Sequence, residues 1–115
     1  MRGCAIEREE KNRLDVIHLD GALDAYSFPD LESTLNDLQV KQRSCVILDC
    51  RGLEYISSAA LGALIGFARR ARENGGDLKL AQLSAKITNI VELLGFHKIL
   101  EIYPTIERAE EKFGE

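Results

Sequence analysis

Cys45-Val46-Ile47-Leu48 is apolar at consecutive positions and is closed by Asp49. A half-exposed strand alternates apolar and polar residues, whereas an unbroken apolar run is that of a strand covered on both faces. The run from Ser44 to Cys50 is therefore read as a central strand. Cys45 and Cys50 lie five positions apart on it and point to opposite faces. A strand of this kind needs packed layers around it, and the neighbouring sequence supplies them.

Cys4 to Glu9 is a weak first strand, and Glu10 to Arg13 reads as a turn. Leu14 to Asp20, carrying Val16, Ile17 and Leu19, is a second strand. The short turn favours antiparallel pairing. Ser27-Phe28-Pro29-Asp30 reads as a helix start, with Ser27 as N-cap, Pro29 in the first turn and Asp30 as the capping-box acid. Phe28, Leu31, Leu35 and Leu38 continue it as one apolar stripe.

After the central strand, Arg51 to Ile56 reads as a short loop. A helix then opens at Ser57 or Ser58. Its core stripe is Leu61, Leu64, Ile65 and Ala68, and it stops at Gly75-Gly76. Arg69, Arg70 and Arg72 stand near its C-terminal end, where the helix dipole favours cations. Leu78 to Gln82 is a strand. Ser84 caps a third helix with Ile87, Ile90, Val91 and Leu94, ended by Gly95. Ile99 to Ile102 is a short last strand, and Pro104-Thr105 open a helix with Ile106, Ala109 and Phe113. The order predicts an α/β fold: a mixed β-sheet with an N-terminal antiparallel hairpin, packed by about four helices. A length of 115 residues suits one domain over 1–115 that buries a core without disulfide or metal.

The charge balance narrows the function. A net charge of −4, with Lys and Arg scattered among acids as in Glu7-Arg8-Glu9-Glu10-Lys11, argues against nucleic acid. Cys4, Cys45 and Cys50 form no CxxC and no metal-ligand spacing, and read as thiols of a reducing, cytoplasmic setting. No signal peptide is visible. The longest uncharged run, Tyr55 to Ala68, is shorter than the roughly 20 residues a spanning helix needs, so no membrane insertion is expected.

Functional surfaces of such sheets gather at the carboxyl ends of strands. Asp24 follows the second strand and Ser57-Ser58 follow the third, so both should lie at one edge. Ser58 has two candidate jobs there. It can cap the helix, or it can accept a phosphate that the helix N-terminus tolerates electrostatically. Ser58, Gly62 and Gly66 recur every four residues, flanked by Ala59 and Ala63, as a smooth uncharged strip. The strip serves either close packing on the sheet or docking of a partner. Asp24 is a turn former or a partner contact, and Asp49 is first a structural anchor. Hydrolysis is poorly supported, because Ile56-Ser57-Ser58-Ala59-Ala60 is no GxSxG elbow. His18, mid-strand, and His97, after a helix end, read as structural or exposed. There is no P-loop, no GxGxxG and no metal cluster, so no cofactor is expected.

The stretch from Val46 through Asp49, Tyr55-Ile56-Ser57-Ser58-Ala59-Ala60-Leu61 to Gly62 resembles the signature of the STAS domain, in the anti-sigma-factor antagonists of bacteria. Gly21-Ala22-Leu23-Asp24 resembles that family's Gly-x-(Leu/Ile)-Asp. Gly75-Gly76, Ser84 to Gly95 and Phe96-His97-Lys98-Ile99 resemble its later half.

The resemblance implies a switch. The unmodified antagonist binds an anti-sigma factor that is also a serine kinase and so releases a sigma factor. Phosphorylation breaks the complex, and a serine phosphatase restores it. By motif the phosphoacceptor falls on Ser58, with Ser57 as alternative, and the partner-binding set is Asp24, Ser57, Ser58, Ala59, Gly62, Ala63 and Gly66. Two positions depart from the pattern: the family aspartate is Ser57 here, and its usual glycine is Ala60. Two alternatives are a STAS interaction module in a transporter or signalling complex without phosphorylation, and a nucleotide-binding STAS domain.

Overall fold

A computed structural model describes residues 3–114. Five strands form one sheet in the order β1-β2-β3-β4-β5. They are β1 (Cys4–Glu10), β2 (Asp15–Leu23), β3 (Cys45–Ile56), β4 (Asp77–Ala81) and β5 (Glu101–Tyr103). The β1–β2 hairpin is antiparallel and the other pairs are parallel, as the strand–helix alternation requires. The helices are α1 (Phe28–Val40), α2 (Ser58–Glu73), α3 (Ala85–Leu93) and α4 (Ile106–Phe113). The expected mixed sheet with its N-terminal hairpin and helices is the fold observed.

Side-chain alternation along the strands makes two cores. On one face Leu19, Leu48 and Leu80 pack with Leu31 and Leu35 of α1, Leu61 and Leu64 of α2, and Ile87 of α3. On the other, Val16, Ile47 and Ala81 pack with Ala109 of α4. Cys50 belongs to the first and Cys45 borders the second, so the central strand is covered on both faces. Burial pushes the Cys50 thiol up to about 12, which keeps it unreactive at neutral pH.

Beneath the hairpin, Asp15 is fully buried. It accepts bonds from Arg8 Nε at 2.9 Å and Arg43 Nε at 2.6 Å. This clamps β1, β2 and the α1–β3 connection together.

The structure corrects three expectations. Ser27 does not cap α1: its backbone is already helical, with φ −96° and ψ −23°, and its hydroxyl donates to Ala22 O at 2.7 Å. Asp24 does the work, accepting the Tyr26 and Ser27 N–H groups at 2.9 and 3.1 Å. Second, 51–56 is no loop, because β3 runs on to Ile56 against β2. β4 pairs with β3 only as far as Asp49–Ala81, so among the described residues this half of β3 has no paired strand on that side, and it exposes Arg51, Glu54 and Tyr55. Third, the last strand begins later, at Glu101, because Phe96–Lys98 form a 3-10 turn and Ile99 ends it.

Candidate functional site

β2 and β3 end side by side. The Ser57 N–H donates to Leu23 O at 2.9 Å, which ties the two strand ends together. Asp24 and the start of α2 therefore share one edge, as the order of elements predicts. Asp24, Ala25, Phe28, Pro29 and Glu32 line a shallow cleft with Ala59 and Ala60. Bonds from the Ser27 and Tyr26 N–H groups hold the Asp24 carboxyl below its ordinary pKa. It stays ionised and is fixed in direction.

The two serines have separate jobs. Ser57 is the N-cap, with φ −79° and ψ 157°, and its hydroxyl accepts the Ala60 N–H at 3.1 Å. Ser58 is the first helical residue and is exposed, and its side chain has no hydrogen-bond partner among the described residues. Capping is thus not its role. Ala60 is buried against the core, so the strip that faces solvent is Ser58, Ala59, Gly62, Ala63 and Gly66.

The glycines settle the choice between packing and openness. A side chain built at Gly62 would meet nothing within 4 Å. Close packing on the sheet therefore does not account for it. In an exposed helix interior glycine costs about 1 kcal/mol relative to alanine, and no internal contact offsets that here. At Gly66 an added Cβ would touch only Arg70 Nη1, at 3.6 Å.

The other candidates lie elsewhere. Asp49 is buried on the opposite face of the sheet, where its Oδ2 meets His18 Nδ1 at 2.7 Å and its Oδ1 accepts the Arg51 N–H. It is an anchor. His97 is exposed in the 3-10 turn. Among the described residues no group of His, Cys, Asp and Glu is placed to hold a metal ion, and no helix is long and apolar enough to cross a membrane.

One feature of this edge escapes sequence reasoning. Tyr26 is 81% exposed on the Asp24–Ser27 turn, because the Asp24 bonds fix the backbone and turn the ring outward. A lone tyrosine in a turn gives no signal of this. Away from this edge, near the other end of α2, the helix-end cations Arg69 and Arg70 stand exposed. Their signal was present: no Asp or Glu occurs from Tyr55 to Arg72 in a chain with 19 acidic residues among 115.

Comparison with known proteins gives a consistent picture. The family model of the STAS domain matches residues 5–109. An anti-sigma-B factor antagonist of Listeria monocytogenes is 32% identical over 101 residues, covering 84% of this chain and 88% of its own. The crystal structure of an anti-sigma factor antagonist from Mycobacterium paratuberculosis superposes with a TM-score of 0.87 at 18% identity, covering 97% of this chain and 95% of that one. The Bacillus cell fate determinant SpoIIAA in its phosphorylated form superposes with a TM-score of 0.71 at 20% identity, covering 94% and 98%. At such identities the two structures speak for the fold.

Proposed function

The chain belongs to the STAS domain family, and on that premise we propose that it is an anti-sigma-factor antagonist switched by phosphorylation of Ser58. Unmodified, it binds an anti-sigma factor with serine-kinase activity and frees a sigma factor. Asp24, Ser57, Ser58, Ala59, Gly62, Ala63 and Gly66 form the contact surface. The kinase modifies Ser58 and a serine phosphatase reverses it, in the cytoplasm and with no reaction catalysed by this chain.

The observation that carries the reading is the division of labour at the start of α2. Ser57 caps the helix, so the Ser58 hydroxyl is exposed and uncommitted. A phosphate there adds about −1.5 to −2 charges beside a bare surface. The unpaired N–H groups of the first turn tolerate it. The named target of the Listeria relative, an anti-sigma-B factor, supports the choice of partner class.

The test is mass spectrometry of the native protein together with binding to purified anti-sigma factors of the same cell. Phosphate on Ser58, and loss of binding in Ser58→Asp but not Ser58→Ala, are the expected results. Phosphate on Ser57 alone would move the switch by one residue. A peptide never modified, with Ser58→Asp binding like the wild type, would overturn it.

A further inference from the structure

The exposed side of α2 changes character along its length. Ser58 and Arg69 are eleven positions apart, which is about three turns of helix, so they fall on one line. Between them the surface is bare: Ala59, Gly62, Ala63 and Gly66. At its far end stand two guanidinium groups. Arg72 is turned inward, to Asp77 Oδ1 at 2.8 Å and Ile99 O at 2.8 Å. Arg69 and Arg70 have no ion-pair partner among the described residues, and no carboxylate lies on α2 before Glu73.

Arg70 is held in place. Its guanidinium stacks over the Phe67 ring at 4.4 Å, and its Nη1 lies back over Gly66. Phe67 is buried. A stacked guanidinium gives up little conformational freedom when it binds, and its fork matches a carboxylate. The cation sits against the bare strip, about 12 Å along the axis from Ser58, and does not trail into solvent as a helix-end arginine usually does.

We infer that Arg70, with Arg69 beside it, is the carboxylate-receiving end of the docking face, and that the partner's docking element is a protein segment bearing acidic side chains that lies along α2. The inference rests on the proposed function for the partner's identity as an anti-sigma factor. Charge complementarity argues for the acidic segment. This chain is acidic overall, with a net charge of −4, yet from Ser58 to Arg72 α2 carries cations and no carboxylate.

The experiment measures affinity and association rate for the anti-sigma factor that binds the wild-type chain, for Arg70→Glu, for Arg69→Glu/Arg70→Glu, and for Arg70→Gln. Circular dichroism checks folding, and Arg70→Gln keeps the test valid should a reversed charge unfold α2. We expect Arg70→Gln to weaken binding about tenfold and the double reversal more. We also expect association by the variants to lose most of its dependence on salt between 50 and 300 mM. If Ser58→Asp abolishes binding while the arginine variants bind like the wild type, this inference falls and the switch stands. If no anti-sigma factor binds the wild type, both fall. If the arginines instead govern binding to phosphatidylserine vesicles, the acidic protein segment is wrong.

Discussion

The Ser57 hydroxyl accepts the Ala60 N–H at 3.1 Å, and this one bond decides what Ser58 is free to do. The usual residue at the position of Ser57 in the family pattern is aspartate. Serine and aspartate are nearly equal N-caps. The replacement keeps the cap and removes only a negative charge beside Ser58, so the serine pair is not two equivalent hydroxyls.

Ser57→Ala should destabilise the protein by about 1 kcal/mol through loss of the cap. Ser58→Ala should stay within about 0.5 kcal/mol of the wild type, as exposed substitutions away from caps do. Ser57→Asp should retain the cap. Urea denaturation of the three variants checks this. A larger loss for Ser58→Ala than for Ser57→Ala would place the cap on the wrong residue.

Gly62→Ala should raise stability by about 1 kcal/mol, since the new methyl meets nothing and the helix gains a better former. The same variant, and Gly62→Leu more strongly, should weaken binding of the anti-sigma factor. Thermal melts and calorimetry give the two readouts. Gain in both stability and affinity would show that no partner backbone approaches Gly62.

The elements with strong periodicity were legible. The stripe Phe28, Leu31, Leu35 and Leu38 is the buried side of α1, and the run Cys45 to Leu48 lies at the centre of the sheet. What sequence could not show was set by neighbours. The second half of β3 looks like a loop because it pairs only with β2 and exposes Arg51, Glu54 and Tyr55. The start of α1 looks like a Ser27 cap because serine is a favoured cap, but here Asp24 closes its own local turn onto the Tyr26 and Ser27 N–H groups while the Ser27 hydroxyl turns back to Ala22 O at the end of β2. At the candidate site the residue types were visible. Which serine caps, and whether the glycines face the sheet or solvent, depended on helix phase to within one residue.

Arg43→Ala should cost about 3 kcal/mol. Asp15 is fully buried, and removing one guanidinium leaves a carboxylate whose remaining partner is Arg8. Breaking a buried ion pair from one side is far more damaging than losing a surface pair. Arg13→Ala, at an exposed position two residues from Asp15, serves as control and should change stability little. Equal urea midpoints for the two variants would remove the clamp from the account of the hairpin.

His18 should make stability depend on pH near neutrality. Its Nδ1 faces Asp49 Oδ2 at 2.7 Å and its Nε2 faces Glu9 Oε1 at 2.9 Å, with Glu7 directly across the β1–β2 pair. Carboxylates only accept, so both nitrogens donate only when the ring is protonated. The Asp49 bond first, and then the Glu9 bond, raise the His18 pKa above its ordinary value. The stabilisation is therefore complete below about pH 6.5, the unfolded value. It is lost as pH rises through the higher folded value. Glu9 works in the other direction: the same bond lowers its pKa, and its contribution is lost as acid protonates it. The cluster is strongest between the two titrations. The His18 side chain is 34% exposed, so solvent screening keeps the effect small. Urea midpoints from pH 5.5 to 8.5 should fall for the wild type and stay level for His18→Gln, with an NMR titration of the ring giving its pKa directly. Parallel profiles for the two proteins would mean that the neutral ring holds Asp49 and Glu9 as well as the charged one does.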